Sequence, residues 1–576
     1  MKLISYAVRV LFRHKLFKVF ITQFILSATK EDTQKEIFFN CSRILGTKTW
    51  GRILTLCNSS AEPEGFLETL QTLDDLSLPS FITELAKIEY GMYVAEQLAP
   101  RVSYPVHQHT INPTVQLIPA THSNLAELIN NGAETTVDKS DAPGGVHIII
   151  WYDQNTHEVQ VKEATDADLL ALKIVSENIP AKDAASAGGV KIAHINGVIR
   201  HAVSIGLILK PPSNIRREVP AEQSENPALK KFITADTFTL QWHITQACDL
   251  HCKHCYDRSD LAILPYEKMI AVLDEFHEFC DLMQVMGQVT FTGGNPLLYP
   301  RFIEIYQETA DRGLAIAILG NPTPIEEIEA LVAIAKPHFF QISLEGLESH
   351  NDHIRGLGHF QRSLGFLEQL KRLNLYTMVM LTLTRENMNQ VLPLAEILRD
   401  KVDSFTFNRL SMVGEGAQLA MADPDDFALF LEEYSQACQT NPILAQKDNL
   451  LNITRHNKNH DLFGGCTGYG CGAAFNFMTL LPNGEIHACR KFPSRIGSIS
   501  EPFSQTPSIA EHHQNRFQTT YHSEIARKYR QASSECQQCT LNLVCRGCLA
   551  AAHSCGLDIF TSKDPFCFLP ETTQNA

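Results

Sequence analysis

The chain has 576 residues, 44% apolar and 20% charged, and a formal net charge of −15. Its length allows about three domains and its composition is that of a soluble globular protein. Its acidity excludes a general nucleic-acid binder, which needs a basic face.

Residues 1–29 are apolar but broken by Arg9, Arg13, Lys15 and Lys18. The uncharged run 19–29 is too short to span a bilayer, and the charges interrupt any signal-peptide core. The segment reads as an amphipathic helix packed on protein, with a membrane-surface anchor as the alternative. A cytoplasmic protein without stable membrane insertion is expected. Residues 1–105 read as a helical domain, since Phe66, Leu67, Leu70 and Leu73 recur at helical spacing. From 101 to 144, Pro, Asn, Thr and Gly mark loop, with a short strand at 115–118.

Residues 145–211 read as a compact unit. The run 146–152 (VHIIIWY) is a strand and 157–163 its hairpin partner. Helices at 166–179 and 190–205 follow, the second ended by Gly206 as a C-cap, and 207–209 add a last strand. Strand, strand, helices, strand is a small winged-helix-like pattern. After a polar linker over 211–229, strands are expected at 237–245, 288–291, 315–319, 339–344, 376–383 and 404–409, with helices between them. Such β/α repeats imply a parallel sheet, open or closed, with ligands at the carboxyl ends of its strands. From about 465, Gly and Cys become frequent and strands short, the texture of a small domain held by metal rather than by a large core.

The chain has 16 cysteines and no visible export signal, so metal binding or thiol chemistry is expected over a disulfide framework. Cys41, Cys57, Cys280 and Cys438 are isolated, and the others fall into two groups. The first group lies in TQACDLHCKHCY at 245–256, directly after the first strand of the β/α region. Cys248, Cys252 and Cys255 are spaced there as Cys-x3-Cys-x2-Cys. Three thiolates on one loop can hold three irons of a [4Fe–4S] cluster and leave the fourth open to a substrate. A zinc site completed by His251 or His254 is the alternative.

This segment resembles the signature of the radical S-adenosylmethionine (SAM) superfamily, with His254 in place of the family's aromatic residue and Tyr256 just after the third cysteine. The resemblance implies an α/β fold with a partial (β/α)6 TIM-like barrel over 235–420. It implies that SAM chelates the open iron and that one electron, from a reduced flavodoxin- or ferredoxin-type donor, cleaves it. The resulting 5′-deoxyadenosyl radical would abstract a hydrogen atom from the substrate. Gly293-Gly294-Asn295-Pro296 resembles the Gly-Gly-Glu-Pro motif that contacts the SAM amino group, with Asn295 replacing the Glu. Ser343-Leu344-Glu345-Gly346, with Arg355-Gly356 beyond it, resembles a segment whose Ser and Arg hold the SAM carboxylate and ribose. The expected cofactor contacts are therefore Gly293, Gly294, Asn295, Pro296, Ser343, Arg355 and Tyr256. The plain reading of Ser343 and Arg355 is an ordinary strand-end serine and a surface arginine.

The second group is Cys466, Cys471, Cys489, Cys536, Cys539, Cys545, Cys548, Cys555 and Cys567. Its order resembles the SPASM domain of radical SAM peptide- and protein-modifying enzymes, placed at 465–570. The resemblance implies two auxiliary [4Fe–4S] clusters, one on Cys466, Cys471, Cys489 and Cys548, the other on Cys536, Cys539, Cys545 and Cys567. The short gap after Cys545 leaves Cys555 a rival for Cys548. Two zinc sites are the alternative. The unit at 145–211 resembles a precursor-peptide recognition element, on which an extended leader peptide adds as an edge strand. A plain structural domain or a DNA-binding winged helix are the other readings.

The expectation is a maturase of a ribosomally made precursor peptide, similar to maturases of thio(seleno)oxazole peptides. An anaerobic sulfatase-maturing enzyme and a non-catalytic iron–sulfur or zinc protein are the competitors. No residue stands out as a general base.

Overall fold

The computed structural model describes residues 35–57, 63–73, 78–132, 135–141, 145–219, 226–500 and 515–570. The expected helix at 1–29 lies outside them. The chain divides into two compact units, Met1–Pro212 and Ser213–Ala576.

In the first unit, helices Phe39–Leu56, Pro63–Thr72 and Ile82–Leu98 precede the strands. In chain order the strands are β1 (Thr110–Ile111), β2 (Gln116–Ala120), β3 (His122–Ser123), β4 (Asp138–Lys139), β5 (Val146–Asp153), β6 (Glu158–Glu163) and β7 (Ile208–Leu209). An antiparallel sheet runs β2-β5-β6. The alternation along β5 sorts its side chains. Ile148 and Ile150 pack with Phe66, Leu85 and Ile88 of the preceding helices. Ile149 and Trp151 pack with Leu172 and Val198 of helices Asp166–Ser176 and Ile192–Ser204. Thr165 and Asp168 close a reciprocal capping box at the first of these helices. Gly206 ends the second at φ +74°, with Leu207 N donating to Ala202 O at 2.9 Å, as its C-cap reading requires.

The sheet's third strand differs from the expectation. It is β2, which makes five residue pairs with β5, whereas β7 pairs with β1. The 207–209 run is too short to compete with β2, and Asn112 ties it to the β1 side by donating to Gly206 O and Tyr152 O, each at 2.9 Å.

In the second unit, strands β8 (Thr237–Thr245), β9 (Met286–Gly293), β10 (Ala315–Leu319), β11 (Phe339–Ser343), β12 (Thr377–Leu383) and β13 (Ser404–Arg409) are parallel and neighbours in chain order. The expected six β/α repeats thus form the partial (β/α)6 TIM-like barrel. Along β8, Phe238, Leu240, Trp242 and Ile244 are fully buried under the outer helices. Thr239, Gln241 and His243, of opposite parity, face the barrel interior.

The cysteine-rich end is more deeply joined to the barrel than its texture suggested. Strands β14 (Phe477–Leu480), β15 (Glu485–His487) and β16 (Arg495–Ser498) continue the barrel sheet, β14 pairing parallel with β8. Phe517 and Tyr521 pack against Phe276, Phe279 and Phe238, so barrel and cysteine-rich segment share one apolar core. Among the described residues no helix is long and apolar enough to cross a membrane.

Candidate functional site

The loop after β8 carries the first cysteine group, and the turn after β9 fixes it. Gly294 N donates to Thr245 O at 2.9 Å and Asn295 N to Ala247 O at 2.7 Å. A Cβ on Gly293, at φ +128°, would stand 2.1 Å from Thr245 O, and one on Gly294 2.2 Å from Ala247 O. The two glycines are therefore required by the close approach of the cysteine loop, besides lining the cavity described below.

Two nitrogen donors face the sulfurs. Arg355 Nη1 lies 3.7 Å from Cys252 Sγ, and Asn321 Nδ2 3.7 Å from Cys248 Sγ. Burial pushes the Cys252 and Cys255 thiols up; Arg355 pulls against it at Cys252, and the Asp257 backbone and Arg258 do so at Cys255. Donors aimed at sulfur favour the thiolate form that an iron cluster needs.

Arg355 is not a free surface side chain. Its Nε and Nη2 donate to Glu345 Oε1 at 2.9 and 2.6 Å, and it is buried. Glu345 also accepts from Thr382 N at 2.8 Å and lies 3.2 Å from His254 Nε2. Burial opposes ionisation of Glu345, but His254 and Arg355 outweigh it and hold the carboxyl well below the usual carboxylate range. The imidazole that replaces the aromatic residue of the signature thus belongs to an ion-pair network joining the β11 end to the cysteine loop.

Asn295 has a specific partner as well. Its Nδ2 donates to Asp249 Oδ1 at 3.2 Å, and Asn321 Nδ2 donates to the same oxygen at 2.7 Å. The carboxylate missing from position 295 is present beside it, on the cysteine loop. Asn295 and Pro296 support the turn and are absent from the cavity wall, which Gly293, Gly294, Ser343, Arg355 and Tyr256 reach.

That cavity is about 980 Å³. Cys248, Cys252 and Cys255 line it, and so do Cys466, Cys471, Cys489 and Cys548. Burial pushes Cys471 up to about 11, helped by the neighbouring Cys548 and Cys466, and Cys489 up to about 12, with Cys471 and Cys548 adding to it. A second set lies together: Cys536 is raised by burial, then by Cys539 and Cys567, and Cys545 by burial, Asp564, Cys567 and Cys536. Cys555 is exposed, and the charged groups that act on it are Asp564 and Arg409. The structure therefore brings Cys548, rather than Cys555, to Cys466, Cys471 and Cys489. Among the described residues no three His, Cys, Asp or Glu side chains converge at single-ion spacing.

Between the thiol groups polar side chains stand among apolar ones such as Phe339, Met380 and Phe407. His243, Thr290, Thr292, Gln341 and Ser343 project from barrel strands into the cavity. His243 is fully enclosed, neither ring nitrogen has a partner among the described residues, and burial, then Arg490, drives its pKa down to about 3. An unpartnered buried imidazole calls for a polar occupant of the cavity. Arg490 pairs with Asp257 and stands over the Tyr256 ring at 5.6 Å, tying the cysteine-rich segment to the first cysteine loop. Arg409, at the end of β13, binds Asp564 through both terminal nitrogens at 2.8 and 2.7 Å, and Asp564 accepts from Cys548 N at 2.7 Å.

Sequence reasoning missed Asp249, Asn321, Arg409, Arg490 and Asp564. Arg409 alone carried a usable signal, a charged residue closing the last expected strand at the carboxyl edge of the sheet.

Residues 242–398 match the model of the radical SAM superfamily. The AdoMet-dependent heme synthase of Methanosarcina barkeri is 23% identical over 355 residues, covering 57% of this chain and 95% of the relative. Mycofactocin maturase MftC of Mycolicibacterium smegmatis is 27% identical over 348 residues, covering 57% and 82%. The crystal structure of Streptococcus suis SuiB bound to precursor peptide SuiA is similar with a TM-score of 0.46 at 18% identity, covering 73% of this chain and 96% of that one.

Proposed function

We propose that this radical SAM enzyme, whose cofactors are SAM and a [4Fe–4S] cluster, modifies a ribosomally made precursor peptide. The observation that carries the reading is the cavity that Cys248, Cys252 and Cys255 line together with Cys466, Cys471, Cys489 and Cys548. A peptide side chain placed there would meet the SAM site and an auxiliary cluster in one enclosure. The maturase among the relatives supports the same class of substrate.

The residues fit the cofactors. Cys248, Cys252 and Cys255 would hold the SAM-binding cluster, with Arg355 and Asn321 donating toward the ligand sulfurs. When bound, cluster and SAM supply a 5′-deoxyadenosyl radical that removes a hydrogen atom from the substrate. Gly293, Gly294, Ser343 and Tyr256 would line the SAM site, and Arg355, held by Glu345, would keep a fixed positive charge at its edge. Cys466, Cys471, Cys489 and Cys548 would hold one auxiliary cluster and Cys536, Cys539, Cys545 and Cys567 the second, for which their grouping is the support. A cluster beside the cavity would accept the electron left on the product, or hold the substrate.

Four functional segments follow on this reading: helical 1–105, peptide-recognition 145–211, radical SAM core 235–420 and SPASM 465–570. In the second, β6 is an outer strand of its sheet, the geometry onto which an extended leader can add. Asn130 Nδ2 already donates to Val161 O at 3.1 Å, so a leader would pair elsewhere along that edge or displace it. Such a unit supports peptide maturation over sulfatase maturation, and a thio(seleno)oxazole-type product is the narrower form of the proposal.

The test is anaerobic co-expression with a short peptide encoded beside this protein, read by mass spectrometry. A mass change in the peptide that needs SAM and reductant is expected, together with loss of peptide binding on deleting 145–211. An unmodified peptide alongside a new porphyrin product, or binding unaltered by that deletion, would overturn the reading.

A further inference from the structure

Two lysines of the cavity have no part in the chemistry described so far. Lys447 and Lys491 line its wall, and the charged groups within reach of the Lys447 ammonium include Cys466, Lys491 and Cys489. The arginines of that wall are matched: Arg355 by Glu345, Arg409 by Asp448 and Asp564, Arg490 by Asp257 and Arg258 by Glu415. Asp257 and Asp448 are the carboxylates that line the cavity, and both are engaged in those pairs. Among the described residues neither lysine has a carboxylate partner. Lys447 Nζ lies 4.0 Å from the thioether sulfur of Met380 instead, a weak acceptor. Lys447 is half-buried, and burial lowers its amine below the ordinary lysine range. A desolvated ammonium without a carboxylate is costly until an anion joins it.

Position narrows the anion. Met380 on β12 pairs with Ser343 on β11, and both residues line the cavity. The Lys447 ammonium thus stands on the strand beside the expected SAM wall and within reach of the second thiol group. That is the space between the two cysteine groups, where a substrate residue must enter. On the cofactor reading, the SAM carboxylate has Arg355 at its own end of the site. We propose that Lys447, with Lys491 beside it, receives a carboxylate of the peptide, either an Asp or Glu side chain or the C-terminus, and so selects the residue presented to SAM. A charge-assisted bond is strong where water is scarce. It separates a carboxylate from the isosteric amide, which would leave the ammonium without a counter-charge. The assignment rests on the peptide reading of the previous subsection and specifies its substrate.

The experiment uses anaerobically reconstituted full-length protein with SAM and three synthetic peptides. They are acetyl-Gly-Glu-Gly-amide, acetyl-Gly-Gln-Gly-amide, and acetyl-Gly-Gln-Gly with a free C-terminal carboxylate. Saturation-transfer NMR gives their affinities. One carboxylate peptide should bind about 10-fold more tightly than the uncharged one, and which of the two it is separates a side-chain from a terminal carboxylate. Lys447→Met should abolish that preference and Lys447→Arg should retain it. Iron content and the electron paramagnetic resonance spectrum of the reduced protein should match wild type in both variants. Equal binding of the three peptides to wild type would overturn the proposal, and so would a preference that survives Lys447→Met. A cluster spectrum altered in Lys447→Met would assign the lysine to the charge of the auxiliary cluster and overturn it as well. A preference that Lys447→Met removes, beside a co-expressed peptide that stays unmodified, would uphold the carboxylate site and sink the maturase reading alone.

Discussion

The two cysteine groups solve one problem in opposite ways. Cys248, Cys252 and Cys255 lie within a single loop, and the turn after β9 presses that loop into shape through two backbone hydrogen bonds. Cys466, Cys471, Cys489 and Cys548 are scattered along the chain and meet through sheet pairing, a shared apolar core and the Arg409–Asp564 pair. Each set has one exposed member, Cys248 and Cys466, but the first is a local arrangement, whereas in the second burial pushes Cys471 up to about 11 and Cys489 up to about 12. On the cluster reading, local geometry suits a site that must admit a cofactor, while the second set comes together only through the whole segment.

The comparison breaks most simply if the two groups are not independent. Changing Cys248, Cys252 and Cys255 together to Ala should abolish 5′-deoxyadenosine formation, while iron content falls but persists at the second group. Iron and acid-labile sulfide assays, with electron paramagnetic resonance, check this; complete loss of iron would mean that the groups assemble as one. Next in size is Asp564→Ala, which strips a buried arginine of one partner and Cys548 N of its acceptor. It should cost about 3 kcal/mol of stability, read from denaturant midpoints, and lower iron at the second group alone.

A smaller effect sharpens the local side. Asn295→Glu would set a second carboxylate against Asp249 and should reduce SAM cleavage roughly 10-fold, about 1.4 kcal/mol. Asp249→Asn/Asn295→Glu should recover most of it, since the pair then carries one charge again. A double variant no better than the single one would show that position 249 specifically must be acidic.

The smallest concerns His243. Its folded pKa, about 3, lies below the ordinary histidine value, so the unfolded chain binds more protons between those limits. Its contribution to stability is complete above about 6.5 and is lost as pH falls toward 3, with a slope of at most about 1.4 kcal/mol per pH unit. His243→Phe should flatten that slope in unfolding curves taken from pH 7 to pH 4. An identical slope would show that the imidazole is hydrated in the native protein.

What could be read in advance follows the same division. The six barrel strands were legible because each is an apolar or alternating run flanked by helical periodicity, and the first cysteine group because it is contiguous. The third strand of the first unit was assigned to 207–209 instead of Gln116–Ala120 because pairing between distant short runs leaves no periodic trace. The same reason hid β14, only four residues long, beside β8. The choice between Cys548 and Cys555 turned on which side chain the fold carries to the cavity. Asp249 and Asn295, 46 positions apart, are a pair only in three dimensions.

The parallel pairing of β14 with β8 has a consequence for how the protein is made. Gln241 and Thr479, in contact across these strands, are separated by 238 positions. At ribosomal speeds of about 5–20 residues per second, some tens of seconds pass between emergence of the two. Throughout that interval the flank of the strand leading into the first cysteine loop has no neighbour on that side. On the cluster reading, factors that deliver iron and sulfide would have access to the nascent loop from a side that the finished polypeptide closes.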